Sequence, residues 1–429
     1  MRRLYALLWY LALPLLPLRL WWRGRKEPGY RLHVGERFGR YRATGPQVTG
    51  DVFWVHAVSV GETRAAAPLI ERLRRARPDA TILLTSMTAT GRETGHALYG
   101  ESVVQCWLPY DVPFAVRAFI ARFRPRAGML METELWPTLL AECARAGVPL
   151  FLVNARLSAR SAARYARAGG ATRTLLASLS GVAAQTRDDA GRLEALGARD
   201  IVVTGNLKFD VDVPDTQRLL GRELRTRFGD DRPLWIAAST RDGEEALIID
   251  ALLQATLPIG TLTLIVPRHP QRFDAVAELL GSRALPFVRR SANAPVPRDV
   301  AFVLGDSMGE LAAYYIASDI AFVGGSLLPL GGQNLIEPIA TGTPTLIGPH
   351  TFNFAEAAAQ AIAAGAARRV ADANALLTAV QELLADPGDR EAMRMAASAF
   401  YAAHRGAADR LWEWLAPKLP GVSRPRDGG

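Results

Sequence analysis

Two doubly wound α/β domains in series, preceded by a short apolar segment, are the architecture that the sequence predicts. Three observations lead to it. Short apolar runs alternate with amphipathic stretches in a βαβα rhythm, the pattern of parallel sheets covered by helices on both faces. The rhythm restarts past the midpoint, after a polar, proline-containing break. The chain has 429 residues, 49% of them hydrophobic, which is long for one core and sufficient for two.

The first element is LYALLWYLALPLLPLRLWW, residues 4–22, an apolar run broken only by Arg19. A membrane span needs about 20 such residues, so residues 1–26 read as a membrane anchor. A cleaved signal peptide is the competing reading, but RGRK follows the run where a small-residue cleavage site would stand. Basic residues are more numerous after the run than before it, which puts the folded part on the cytoplasmic side. Arg19, Pro14 and Pro17 leave open whether the segment spans the bilayer or lies in its interface.

The net charge of +9 has a position as well as a size. Residues 1–42 hold ten Lys or Arg against Glu27 and Glu36, so +8 of it lies there. The remainder is close to neutral, and the electrostatic case for nucleic acid falls away. Cys106 and Cys143 have apolar neighbours and no CxxC spacing, and read as buried thiols in a reducing compartment.

In the first domain, residues 27–211, strands are expected at DVFWVHAV, ATILLTS, VVQCWLP, RAGMLME, VPLFLVN, GVAAQ and DIVVTG. The break follows GNLKFD, where VDVPDTQRLL carries polar residues and Pro214. The second domain, residues 212–418, is expected to build its sheet from PLWIAAS, TLTLIVP, DVAFVLG, DIAFVGG and TPTLIG, with a disordered tail over 419–429. Paired domains of this kind leave a cleft between the carboxyl ends of two sheets, an arrangement common among nucleotide-sugar glycosyltransferases of the two-Rossmann type.

Several motifs sit at those strand ends. In SVGE, Glu62 stands at the first strand-to-helix turn, where many α/β proteins hold phosphate on a glycine-rich loop. There it reads either as an acid kept ionised by the helix dipole or as a favourable first-turn residue on a surface helix. METELWP sets Glu132 and Glu134 at the end of a buried strand, where strand alternation would aim only one of them at the cleft. GNLKFDVD carries Lys208 toward the same edge; its D-x-D string lacks the companions of a metal site.

In the second domain, VGGSLLPLGGQNLIEPIATG offers a flexible loop and a helix start at Asn334, with Glu337 one turn in. Such a start suits a phosphate, with Glu337 accepting from ribose hydroxyls, although a glycine-rich turn capped by asparagine has the same residues. Arg268 and His269 in PRHPQRF can donate to a nucleotide, or form a solvated turn fixed by two prolines. DSMGEL, residues 306–311, has the form of a capped helix start. There is no GxxxxGK[ST], no convincing dinucleotide fingerprint and no clustered histidine spacing, so neither cofactor nor metal is expected.

Taken in this order, SVGE, METELWP, NARLSARS, GNLKFD, PRHPQRF, DSMGEL, VGGS and GGQNLIEP resemble the 3-deoxy-D-manno-octulosonic acid (Kdo) transferases of lipopolysaccharide assembly, over residues 54 to about 357. The resemblance implies a GT-B fold, a CMP-Kdo donor, a lipid A precursor (lipid IVA) as acceptor at the cytoplasmic face of the inner membrane, and metal-independent inversion. It implies a first domain that takes the acceptor and a second that takes the donor. Glu62 resembles the family's general base, and Glu132 and Lys208 its transition-state stabilisers. Arg268, His269, Met308, Gly309, Glu310, Asn334, Leu335, Ile336 and Glu337 resemble its CMP-binding segments. Two positions depart from the pattern: Arg241 in STRDGEE and Gln333 before Asn334, where relatives commonly carry histidine. The competing readings are a membrane-associated enzyme using a UDP-sugar and an inactive lipid-bound scaffold.

Overall fold

The computed structural model describes residues 5, 9–25, 27–41, 48 and 50–422. It divides into two compact units, residues 1–210 with 406–429, and residues 211–405.

The apolar runs of the first unit become seven parallel strands: β1 Val52–His56, β2 Thr81–Ser86, β3 Val104–Trp107, β4 Ala127–Met131, β5 Leu150–Ala155, β6 Gly181–Ala184 and β7 Ile201–Val203. Their order is β3-β2-β1-β4-β5-β6-β7. Alternate residues of each strand enter different cores, as a period of two requires. Phe53 and Val55 pack with Leu69, Ile70 and Leu73 on one face. Trp54 packs with Phe119, Leu130 and Leu152 on the other. Because helices cover both faces, the strands carry no polar side.

The second unit repeats the plan with β8 Leu234–Thr240, β9 Leu262–Pro267, β10 Phe287–Arg289, β11 Phe302–Leu304, β12 Ile320–Val323, β13 Thr345–Ile347 and β14 Ala367–Arg369. All pairings are parallel, in the order β10-β11-β9-β8-β12-β13-β14. In both sheets the first strand in sequence has neighbours on two sides, β2 and β4 for β1, β9 and β12 for β8. The direction of winding reverses there, and ligands of doubly wound sheets bind beyond the strand ends at such a point.

Three sequence expectations change. Residues after 405 were expected in the second domain, yet the helix Ala407–Leu415 completes the core of the first, with Leu411, Trp412 and Leu415 packed beside Phe53 and Leu69. Asp210 secures the return, accepting from the backbone N–H of Gly406 at 2.9 Å and of Ala408 at 2.6 Å. The tail expected to be disordered from 419 begins later, because Leu419 is buried in that core; residues 423–429 lie outside the described set.

The expected anchor changes most. Among the described residues no helix is long and apolar enough to cross a membrane. The segment forms a 3-10 turn, Leu13–Leu15, and a helix of eight residues, Leu16–Arg23, with Pro14 and Pro17 at the two starts. A proline inside a continuous helix would remove a hydrogen bond and clash with the preceding turn, so the run is divided at each of them. Leu16 and Leu20 are buried against Tyr30, Trp107 and Tyr110 of the first unit. Leu11, Leu15, Leu18 and Trp22 remain 63–68% exposed. Residues 1–4, 6–8 and 26 of the anchor lie outside the described set.

Candidate active site

The first unit gathers its acids at the β1/β4 reversal. After β1 the chain turns through residues 57–59, and Ser59 caps the helix Val60–Ala65. Ser59 Oγ accepts from the Glu62 N–H at 3.4 Å and donates to Glu62 Oε1 at 2.9 Å. The Val58 N–H donates to Glu62 Oε2 at 2.8 Å. SVGE is thus a variant of the capping box, with the acid folded back over the turn that precedes it.

This fold-back buries Glu62 to 7% exposure. Burial pushes its carboxyl up to about 7, against the pull of the Val58 N–H and the Ser59 hydroxyl, and the nearby charges of Glu132 and Glu134 push the same way. The sequence expectation that the helix dipole keeps Glu62 ionised is therefore corrected. Desolvation of the charged form outweighs the donors at the helix start, and the group is poised to change protonation near neutrality.

Glu132 follows β4 with φ +57, in the left-handed region. Such a conformation costs about 1–3 kcal/mol for a residue with a side chain and marks a site where the surroundings hold it. Residues two apart share a face of a strand in any case, so the expectation that alternation aims only one acid of METELWP at the site does not hold. Glu132 Oε1 lies 2.5 Å from Lys208 Nζ. Glu134 accepts from Trp136 Nε1 at 2.8 Å, and burial raises its pKa. Lys208 stands on the short turn Leu207–Phe209, capped by Asn206. A Cβ on Gly61 would meet Lys208 Nζ at 3.8 Å, so the ammonium rests on the turn that presents Glu62. Glu62, Glu132 and Lys208 are brought together.

Asn154 is the supporting residue that sequence reasoning missed. It is fully buried with φ +52, and its Oδ1 accepts from the Leu207 N–H at 2.9 Å, fixing the turn that carries Lys208. The signal was present, since an asparagine at the end of an otherwise apolar strand is out of pattern. His56 ends β1 fully buried, with Nδ1 2.8 Å from Thr85 Oγ1, and burial lowers its pKa to about 4.

In the second unit the β8/β12 reversal is governed by Glu244, also missed. Its carboxylate is fully buried and accepts three backbone N–H groups, from Arg241 at 2.9 Å, Gly325 at 2.6 Å and Leu327 at 2.9 Å. The glycine turn after β12, which precedes the helix start expected to suit a phosphate, therefore gives two N–H groups to a carboxylate of its own domain. Glu245, equally buried, accepts from Thr240 Oγ1 and Arg272 and ties the ends of β8 and β9 together. Consecutive acids directly after a strand, as in GEE, were the available signal.

The expected donor residues fall into three groupings. Arg268 and His269 are exposed beyond β9; His269 is lowered by partial burial and then by Arg241, Arg268 and Arg272, so these cations share one neighbourhood. Met308 is exposed and Gly309 has φ +78, while Glu310 is bound by Arg290 at 3.1 Å and by Ser307 Oγ at 2.6 Å. Asn334 Oδ1 accepts from the Ile336 N–H, and its Nδ2 donates to Glu337 Oε1, both at 3.1 Å. The Leu335 and Ile336 side chains are buried, so these residues offer a ligand only backbone. The two departures meet at one glycine: a Cβ on Gly325 would lie 3.0 Å from Gln333 Nε2 and 3.5 Å from Arg241 Cγ. Among the described residues no group of three or more His, Cys, Asp or Glu could hold a metal ion.

Comparison with known proteins follows the same lines. Residues 32–211 match the family described as 3-deoxy-D-manno-octulosonic-acid transferase (kdotransferase). The chain is 48% identical over 418 residues to the 3-deoxy-D-manno-octulosonic acid transferase of Bordetella pertussis, covering 94% of this chain and 96% of that one. It is 41% identical over 400 residues to the Haemophilus influenzae protein of the same name, covering 92% and 93%. Among solved structures it resembles the C-terminal CMP-Kdo binding domain of WaaA from Acinetobacter baumannii, with 32% identity, a TM-score of 0.41, and coverage of 43% of this chain and 97% of that one.

Proposed function

The chain belongs to the 3-deoxy-D-manno-octulosonic acid (Kdo) transferase family, and from that premise we propose that it is a GT-B enzyme that transfers Kdo from CMP-Kdo to a lipid A precursor in lipopolysaccharide assembly. Glu62 takes the proton of the acceptor hydroxyl as the oxygen bonds to the anomeric carbon of Kdo and the bond to the CMP phosphate breaks on the opposite side. A carboxyl with a pKa of about 7 supports this role, because a general base works best when its pKa lies near the working pH. Lys208, held by Glu132, supplies positive potential to charge developing in the transition state. Donor binding is assigned to the second unit, through Arg268, His269 and the segments Met308–Glu310 and Asn334–Glu337. No step calls for a metal.

The observation that carries the proposal is the Glu62, Glu132 and Lys208 constellation in a chain that aligns with Kdo transferases along nearly its whole length.

Association with the cytoplasmic face of the inner membrane belongs to the same proposal. The exposed Leu11, Leu15, Leu18 and Trp22, beside Arg19 and Arg25, favour a helix lying in the interface over one that spans.

The test is to incubate the detergent-solubilised protein with tetra-acylated lipid A precursor and with CMP-Kdo or UDP-sugars separately, and to weigh the product. A mass gain of Kdo units with the CMP donor alone is expected. Transfer from a UDP-sugar instead would overturn the donor assignment.

A further inference from the structure

Between Glu142 and Asp188 the chain carries seven arginines and no acidic residue, a bias hidden by the near-neutral total outside residues 1–42. Its centre is the helix Ala159–Arg167, ARSAARYAR, which buries no residue. Arg160, Arg164 and Arg167 recur at spacings of four and three, so they share one face. Ala162 and Tyr165 pack into the core on the other. Among the described residues no carboxylate pairs with these three arginines; Arg145, at the start of the stretch, is paired with Glu142, and Arg192, beyond its end, with Asp188. Like charges one turn apart repel, and among the described residues no carboxylate answers them.

The helix stands next to the candidate site. It follows β5, which pairs with β4 through Met131 and Val153, one residue before Glu132. The Thr133 hydroxyl donates to the Arg156 carbonyl, joining the loops that leave the two strands. Tyr165 and Ala162 belong to the same core as Leu135 and Trp136, which follow Glu134. The arginine face is therefore built onto the sheet edge that presents Glu62, Glu132 and Lys208.

We propose that Arg160, Arg164 and Arg167 form the seat for a phosphate monoester on the acceptor glycolipid, an inference that rests on the acceptor reading above. Guanidinium groups bind phosphate through paired N–H donors. Three of them along about 10 Å of helix can hold one phosphate and leave the acceptor hydroxyl free to reach Glu62.

The test uses the full chain in neutral detergent micelles without phospholipid. Equilibrium binding of a phosphorylated glucosamine-disaccharide lipid and of its dephosphorylated form is measured for the wild type, for Arg164→Gln/Arg167→Gln, and for the triple Arg→Lys variant. The double variant is expected to bind the phosphorylated lipid about tenfold more weakly or worse, as loss of charged hydrogen bonds implies. Its binding of the dephosphorylated form and its KM for the donor stay unchanged, and the lysine variant recovers part of the loss. Equal binding of both lipids by the double variant and the wild type overturns the proposal. So does a loss seen only on phospholipid vesicles, which would assign the arginines to bilayer headgroups. Because binding is read without turnover, a wild type that binds the phosphorylated lipid yet transfers no Kdo overturns the transferase reading and leaves the phosphate seat standing.

Discussion

Lys208 Nζ lies 2.5 Å from Glu132 Oε1, and the same ammonium rests against Gly61, one residue before Glu62. The pair joins the end of β4 to the turn after β7 and reaches the first turn of the helix Val60–Ala65. One cation thus touches the settings of both acids. It lowers the electrostatic cost of placing two carboxylates together.

Glu62→Gln removes the proposed base while keeping its shape. The amide oxygen can still accept from Val58, and the amide nitrogen can donate to Ser59 Oγ. Transfer is expected to fall by about 10²–10⁴-fold, the usual contribution of a positioned base, with donor binding retained. Turnover near the wild-type rate would remove Glu62 from the chemistry.

The pH dependence has a definite sign. A general base acts when deprotonated, so with Glu62 in the proposed role kcat/KM is expected to rise with pH and level off above about 7. Stability runs the other way. A carboxyl raised above its unfolded value of 4.5 contributes fully below that value and loses the contribution as pH rises through 7. The penalty amounts to about 3 kcal/mol at pH 8. Glu62→Gln should therefore melt higher than the wild type at pH 8, with the gap closing toward pH 5. A gap independent of pH would show that the group does not titrate as described.

Lys208→Ala leaves Glu132 without its cation, close to Glu62 and Glu134. We expect kcat to fall by about 10²-fold or more, in the range for loss of one electrostatic stabiliser, and the rising limb of the pH profile to move upward as Glu132 repels Glu62 more strongly. A pH profile that stays in place would separate Lys208 from Glu62.

Glu244→Gln tests the clamp on the glycine turn. An amide cannot accept at both of its ends, so one of the three N–H groups loses its partner, at a cost of about 1–3 kcal/mol. KM for CMP-Kdo is expected to rise while kcat changes little, and Glu244→Asp, which keeps both oxygens, should recover part of the affinity. Loss of kcat with an unchanged KM would rule out a positioning role in donor binding.

Exposed side chains carry the membrane proposal. Leu15→Ser, Leu18→Ser and Trp22→Ser together should reduce co-flotation with anionic vesicles and leave the melting temperature nearly unaltered, since surface changes of this kind stay within about 0.5 kcal/mol each. Undiminished flotation would move the membrane contact elsewhere.

Twelve of the fourteen strands were legible because they are apolar runs bounded by turns. The two missed, Phe287–Arg289 and Ala367–Arg369, are three-residue edge strands that end in arginine, where an unpaired edge tolerates charge and the period shrinks below what a pattern can reveal. Glu62, Glu132 and Lys208 were visible as charges at strand ends. The protonation of Glu62 was not, because it depends on how deeply a folded-back side chain is buried, and local spacing carries no such information. Glu244 was hidden for a related reason. Its partners, Gly325 and Leu327, lie some eighty residues away in sequence. The anchor reading weighed Pro14 and Pro17 and left the choice between span and interface open; the packing of Leu16 and Leu20 against Tyr30 and Trp107 depends on residues distant in sequence and was not legible.

The return of the helix Ala407–Leu415 to the first unit has a consequence for synthesis. Leu411 and Leu415 belong to the core that Phe53 and Leu69 begin, so the earliest part of the chain to leave the ribosome is among the last to be finished. While the second unit is being translated, the first sheet waits with one side incompletely covered. A nonsense codon shortly after residue 405 would spare every residue of the second unit and damage the first, the one that bears Glu62.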